Sequence, residues 1–187
     1  EVVVKKTVSK GARDEAAAAG KYLIETSDAD AIHITRDNLM QKQIAKALFN
    51  GATFEESFFW DDIHDIRCKI RPDLLHEGYG VMADLKTATD ASIRGFRAAA
   101  FKFKYGLQGA FYQRGVEAAI GKRFQFVFIV AEKSAPYDSA FYLMDEKFLE
   151  WSRIDDDTIP GLLNRLHECQ DVQDWPGYPD EIIRLSE

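Results

Sequence analysis

Residues Ile70 to Lys86 read IRPDLLHEGYGVMADLK. A short apolar run contains Arg-Pro-Asp, a polar turn with two glycines follows, and a second apolar run carries Asp-Leu-Lys. Two strands joined at HEGYG is the plain reading of this pattern. Successive strand residues point to opposite faces, so Asp84 and Lys86 are expected together and Leu85 towards the core. If Asp73 ends the first strand, the turn brings Asp84 back beside it. Two converging carboxylates repel unless a cation sits between them, and one or two carboxylates with water are how Mg2+ is usually held. An ammonium beside such an ion can orient or deprotonate an attacking water, while the ion offsets charge growing on a phosphate. The same stretch also fits a surface hairpin with an ordinary Asp–Lys ion pair, and the spacing alone leaves both readings open.

Context narrows the choice. Asp145-Glu146-Lys147 repeats the acid-x-Lys spacing, but at the start of an expected helix, where i and i+2 do not share a face. Pro179-Asp180 repeats the Pro-Asp, with no Asp-x-Lys after it. Only Asp73 and Asp84-Leu85-Lys86 come as a pair on consecutive expected strands.

Outward from the hairpin, TFEESFFW and IRCKIRPDLL read as strands, so residues 53–86 are expected to form a three-stranded antiparallel meander. Upstream, SKGARDEAAAAGKYLIE reads as a helix entered by Ser9, and AIHI (Ala31–Ile34) as a short strand. TRDNLMQKQIAKAL is expected to be a helix capped by Thr35 and stopped by Asn50-Gly51. Downstream, IRGFRAAAFKFKY and LQGAFYQRGVEAAIG read as helices. RFQFVFIVAE is the most apolar strand and is expected to be central, with SAFYLMD next to it. Residues 145–171 are expected to be mainly helical with a break near DDDTIPG, and the tail DVQDWPGYPDEIIRLSE mostly irregular. This order predicts one α/β domain built on a mixed sheet flanked by helices.

The chain has 187 residues, 46% of them apolar, long enough to bury a core. No apolar run approaches the length of a membrane span and no signal-peptide pattern opens the chain, so no membrane partner is expected. Cys68 and Cys169 lack metal or disulfide spacing, which points to a reducing cytoplasm. His33, His64, His76 and His167 show no metal spacing either and read as structural. The net charge of −7 is unevenly spread: Lys86 to Arg123 holds eight basic residues and two acidic ones, leaving −13 on the rest. A polyanion can bind such a basic face while acidic surfaces repel it elsewhere; a solvated basic helix gives the same composition.

With these residues in place, RPD followed after ten residues by DLK matches the PD-(D/E)XK nuclease pattern. The stretches SFFWDD, IRCKIRPDLL, VMADLKTATDAS and FKFKYGLQGAFYQRGV resemble the nuclease domain of the RecE (exodeoxyribonuclease VIII) type, a group related to phage λ exonuclease and the RecB nuclease domain. The resemblance runs from about residue 10 to Pro176 and is strongest from Ser57 to Gly115. It implies a Mg2+-dependent enzyme, Mn2+ being able to substitute, that degrades the 5′ strand of double-stranded DNA ends and leaves 3′ overhangs for recombination.

Carried onto this sequence, the resemblance makes Asp73 and Asp84 metal-binding carboxylates, Leu85 a ligand through its carbonyl, and Lys86 the catalytic lysine. Gln108 and Tyr112 match the Gln-x-x-x-Tyr feature that follows; four residues apart on a helix, they share a face. Tyr112 is equally a candidate core aromatic. Arg71 is a candidate phosphate contact or a brace for the carboxylates, Thr87 a hydrogen-bond donor to DNA or a strand-end cap. Arg94, Arg97, Lys102 and Lys104 are candidates for lining a DNA channel, or are simply solvated. Phe58 and Trp60 are expected in the core, and Glu55 or Glu56 near the site but on a strand.

The RecE-type pattern also has a metal-binding histidine upstream of the position aligned with residue 1, and His33 does not match it. Residues 1–187 are therefore expected to be a nuclease domain lacking its N-terminal part. The resemblance further implies a homo-oligomeric ring, tetramer or trimer, a single-strand annealing recombinase as partner, and a bacterial or prophage source. Two rival readings keep the fold: a CRISPR-adaptation-type single-strand exonuclease, against which the two lone cysteines speak because such enzymes carry an iron–sulfur cluster, and a DNA-end-binding module that has lost catalysis.

Overall fold

The computed structural model describes residues 2–151, 158–178 and 180. Its N-terminal part runs β1 (Val2–Lys5), α1 (Lys10–Ala18), β2 (Tyr22–Glu25), α2 (Thr26–Gln41) and α3 (Gln43–Phe49). Ser9 caps α1, its hydroxyl accepting from Ala12 N–H at 3.3 Å. The helix expected to continue through Glu25 stops at Ala18, and Tyr22–Glu25 instead pairs in parallel with β1.

Ala31–Ile34 is not a strand. It lies inside α2, with Ile32 and Ile34 exposed and the buried residues Ala29 and Leu39 ten apart, near three helical turns. Thr35 caps nothing; its hydroxyl donates one turn back to the Ala31 carbonyl at 2.8 Å. The helix breaks instead at Lys42, whose extended backbone ends α2 and starts α3. Asn50 ends α3, and Gly51 takes a positive φ of 87°.

The meander expected over 53–86 is split between two sheets. The strands are β3 (Thr53–Phe54), β4 (Phe58–Asp61), β5 (Arg67–Ile70), β6 (Leu74–His76) and β7 (Val81–Ala88). β4 and β5 form a separate antiparallel hairpin, while β3, β6 and β7 join the central sheet. The break falls at Arg71-Pro72-Asp73, where Pro72 is fully buried and has no N–H to give a ladder.

From β7 the chain crosses through α4 (Ile93–Lys102) and α5 (Tyr105–Ile120) to β8 (Gln125–Glu132), parallel to β7, then turns into β9 (Ser139–Met144). The sheet order is β3-β6-β7-β8-β9, mixed, with β8 interior as its composition predicts. α6 (Glu146–Trp151) and α7 (Ile159–Val172) follow; of the break expected near DDDTIPG, residues 155–157 lie outside the described residues, and Thr158 caps α7.

β8 shows why the sheet needs helices on both faces. Phe126, Phe128 and Val130 point into a core shared with α4, α5 and the β4–β5 hairpin, while Val127 and Ile129 point into a second core under α2 and α3. The α5 face is packed closely: a Cβ on Gly115 would stand 2.5 Å from the Trp60 ring. That contact seats α5 on the hairpin and fixes the height of its side chains above β7. Among the described residues, no helix is long and apolar enough to cross a membrane.

Candidate active site

β7 alternates as a strand must, with Met82 facing the α5 core and Ala83 the α2–α3 core. Asp84 and Lys86 therefore project towards α5. Asp84 is only 6% exposed, and Lys86 Nζ lies 2.8 Å from its Oδ2. Leu85 does not point into the core as expected. It is 48% exposed, because α2 and α3 cover Ala83 but leave the next residue on that face open.

Gln108 closes the arrangement from α5. Its Nε2 donates to Asp84 Oδ1 at 2.6 Å, and its Oε1 accepts from Lys86 Nζ at 2.8 Å. The ammonium also sits 4.5 Å from the centre of the Tyr105 ring. Lys86 is thus held by a carboxylate, an amide and a ring face, which fixes a side chain that is otherwise flexible. Asp84 Oδ2 is buried, with the Lys86 ammonium at 2.8 Å as its ion-pair partner and no further hydrogen bond.

Asp73 sits where β6 stops pairing with β7, just before the Leu74–Ala83 pair. Its Oδ2 accepts the Leu85 N–H at 2.6 Å. In an extended strand the N–H and C=O of one residue share an edge, so the Leu85 carbonyl faces the same side as Asp73. Burial raises the Asp73 carboxyl above its ordinary value; the charges of Asp84 and Glu55 push the same way, against the Leu85 N–H and Lys86.

Other residues singled out from the sequence lie around this cluster. Arg71 pairs with Glu55 at 2.9 Å, both side chains being more than half exposed, and does not brace Asp73 or Asp84 by a direct contact. Tyr112 packs edge-on against Phe126 at 5.8 Å, on the core side of α5. Thr87, Arg94, Arg97, Lys102 and Lys104 are exposed. Phe58 and Trp60 are buried as expected. His64 and His167 stack on each other at 4.0 Å, and His76 bridges the Asn50 carbonyl and the Tyr79 N–H.

One neighbour of the cluster, Tyr105, was not singled out from the sequence, and another, Glu55, stands near the site as expected but not on a strand. Tyr105 lies three residues before Gln108 on the same helix, and that i, i+3 spacing was a usable signal. Glu55 is not on a strand: it follows β3 with a left-handed φ of 54°, and its N–H donates to the Asp73 carbonyl at 3.3 Å. Another acid, Asp62, whose side chain is buried, is separate. It binds Arg114 at 2.6 Å and Trp60 Nε1 at 2.8 Å, tying the β4–β5 hairpin to α5.

A divalent cation fits the donor set. Asp73, Asp84 and the Leu85 carbonyl are hard oxygen donors, the chemistry Mg2+ takes, with water or substrate filling the remaining positions. No group of three or more His, Cys, Asp or Glu side chains suited to a metal occurs among the described residues, so a closed, all-side-chain metal site is not what these residues offer.

The sequence matches, over residues 4–185, the profile of a family described as "PDDEXK-like domain of unknown function (DUF3799)". No curated protein sequence matches it. Among solved structures, the fold is similar to that of a "putative exonuclease" from Eubacterium rectale, with TM-score 0.63 and 14% identity. The alignment covers 84% of this chain and 62% of that one, so this chain spans less than two thirds of its neighbour. SSO0001 aligns more loosely, with TM-score 0.41 and 18% identity over 75% of this chain and 59% of that one.

Proposed function

The chain belongs to the family of PDDEXK-like domains of unknown function (DUF3799), and we propose that it is a Mg2+-dependent exonuclease that degrades double-stranded DNA ends 5′→3′, leaving 3′ overhangs for recombination, the substrate and polarity resting on the resemblance to the RecE type. The observation that carries this reading is the triangle of Asp84, Lys86 and Gln108 with Asp73 tied in through Leu85.

In this reading Asp73, Asp84 and the Leu85 carbonyl hold the cation, Mg2+ or Mn2+, which supplies charge neutralisation at the scissile phosphate. Lys86 presents its ammonium to the attacking water or to a non-bridging oxygen, and its tether to Gln108 and the Tyr105 ring keeps that position without reorganisation. Gln108 orients Asp84 at the same time, so one amide sets two reacting groups. Arg94, Arg97, Lys102 and Lys104, exposed on and after α4, draw the DNA backbone in. A ring-shaped homo-oligomer and a recombinase that takes the 3′ strand complete the proposal, on the resemblance to the RecE type alone.

Linear duplexes labelled at either the 5′ or the 3′ terminus, incubated with Mg2+, test it. Early release of the 5′ label with the 3′-ended strand left intact supports the reading. Release of the 3′ label first, or equal attack on closed circles, overturns the polarity or the end dependence.

A further inference from the structure

Lys102 and Lys104 draw in the DNA backbone in the mechanism above, but the phenylalanines that alternate with them have no role there. Residues Phe101-Lys102-Phe103-Lys104 close α4 and lead into α5, and all four are exposed, Phe103 by 58%. A single exposed aromatic is ordinary, but Phe103 belongs to a row. Lys102 Nζ lies 5.3 Å from the Phe103 ring, the Phe103 and Tyr105 rings are 5.7 Å apart and stacked, and Lys86 Nζ lies 4.5 Å from the Tyr105 ring. Two stacked rings with a lysine at either end thus run from solvent to the lysine of the candidate active site.

Phe103 also lines a cavity of about 360 Å3, at the small end of ligand-site volumes. Leu107, Phe111 and Leu162 supply apolar walls, and Gln108 and Lys104 supply polar groups. Gln108 is the residue that touches both Asp84 and Lys86. The cavity therefore shares Gln108 with the site, and lysines flank its exposed ring. A ligand that fits carries a flat ring joined to a phosphate, the ring for the cavity and the phosphate for Lys86.

We propose that Phe103 and this cavity seat an unpaired nucleobase of the DNA strand being cut, while Lys102 and Lys104 engage the adjoining phosphates. The inference rests on the nuclease reading of the site. The base must be unpaired because a paired one keeps its faces inside the duplex stack, whereas a splayed base offers a π-face to an aromatic platform. Charge favours this occupant over another protein surface: the stretch from Lys86 to Arg123 is basic in an acidic chain.

The test uses linear duplex DNA with a two-nucleotide unpaired 5′ end carrying the fluorescent base 2-aminopurine, with divalent metal chelated so that binding is read without cleavage. Wild type and Phe103→Tyr should quench the fluorescence. Phe103→Ala should abolish the quench and weaken binding roughly 5- to 100-fold, as loss of one base–aromatic stack does. Lys102→Ala should keep the quench and reduce the salt dependence of binding by about one charge. With Mg2+ restored, Phe103→Ala should raise KM more for the unpaired end than for a blunt end.

Equal quench and affinity in wild type and Phe103→Ala overturn the proposal. So does a Phe103→Ala variant that changes the oligomeric mass and leaves DNA binding intact, since the cavity is then a protein contact. The two readings fail separately. A Phe103-dependent quench without any cleavage in Mg2+ removes the nuclease reading and keeps the base seat, and cleavage with a Phe103-independent quench does the reverse.

Discussion

Gln108 reaches from α5 to Asp84 on β7 with its Nε2 2.6 Å from Asp84 Oδ1, and the same amide accepts from Lys86 at its other end. One neutral side chain thereby fixes both charged groups of the Asp-Leu-Lys motif. It also explains why the motif alone says little: an Asp–Lys pair on a strand becomes a defined site only when a helix closes over it.

Gln108→Ala removes both bonds and leaves Asp84 Oδ1 buried with a lost donor. We expect a loss of about 1–3 kcal/mol in unfolding free energy and a fall in kcat larger than any change in KM. Gln108→Glu keeps the acceptor for Lys86 and sets a second carboxylate against Asp84. It should be at least as slow as Gln108→Ala on the same linear duplex. Steady-state kinetics with chemical denaturation separate the two effects.

Gly115→Ala places a methyl group 2.5 Å from a rigid indole and 2.9 Å from Ile70 Cδ1. Overpacking of this kind costs about 1–3 kcal/mol, so thermal unfolding should shift down by several degrees. Gly11 has nothing within 4 Å of a built Cβ and lies within α1. Gly11→Ala should be neutral or stabilising by up to about 1 kcal/mol through helix propensity. Equal midpoints for the two variants would contradict the close seating of α5.

Two partly buried acids should respond to pH with opposite signs. Arg114, assisted by Trp60 and the Ile63 N–H, holds the Asp62 carboxyl far below the usual range. A depressed carboxylate contributes stability above its unfolded value of about 3.9 that is lost as pH falls towards its folded value. Asp62→Asn should therefore be less stable than wild type at pH 7, and the gap should begin to narrow as pH falls below about 4.

Asp73 is raised by burial and by the charges of Asp84 and Glu55. A raised carboxyl costs stability once ionised, and the cost fades as pH falls through its folded value. In chelated protein Asp73→Asn should be more stable than wild type at pH 7, with the advantage shrinking on acidification, while DNA cleavage is lost. Unfolding midpoints of both variants from pH 7 to pH 3 check both signs.

Sequence legibility followed local geometry. The alternation of a strand put Asp84 and Lys86 on one face, and i, i+4 spacing put Gln108 and Tyr112 on one helix; the structure brings Gln108 to the cluster and turns Tyr112 to Phe126. The apolar run of β8 marked an interior strand. What escaped depended on distant partners. Residues 53–86 look like one meander until Pro72 breaks the ladder and the β4–β5 hairpin packs on α5 instead. Leu85 looks like a core residue until α2 and α3 stop short of it. AIHI carries β-branched residues, yet the helix that contains it needs only Ala29 and Leu39 for its buried face.

The central claim is that Asp84 and Lys86 perform the chemistry of a metal-dependent exonuclease. The direct measurement is the rate of nucleotide release from linear duplex DNA in Mg2+ by wild type, Asp84→Asn and Lys86→Ala, each shown by circular dichroism to be folded. The account predicts release by wild type and a loss of at least about 100-fold in both variants, in line with losing one preorganised charge at a reacting centre. Release by either variant at the wild-type rate would contradict it.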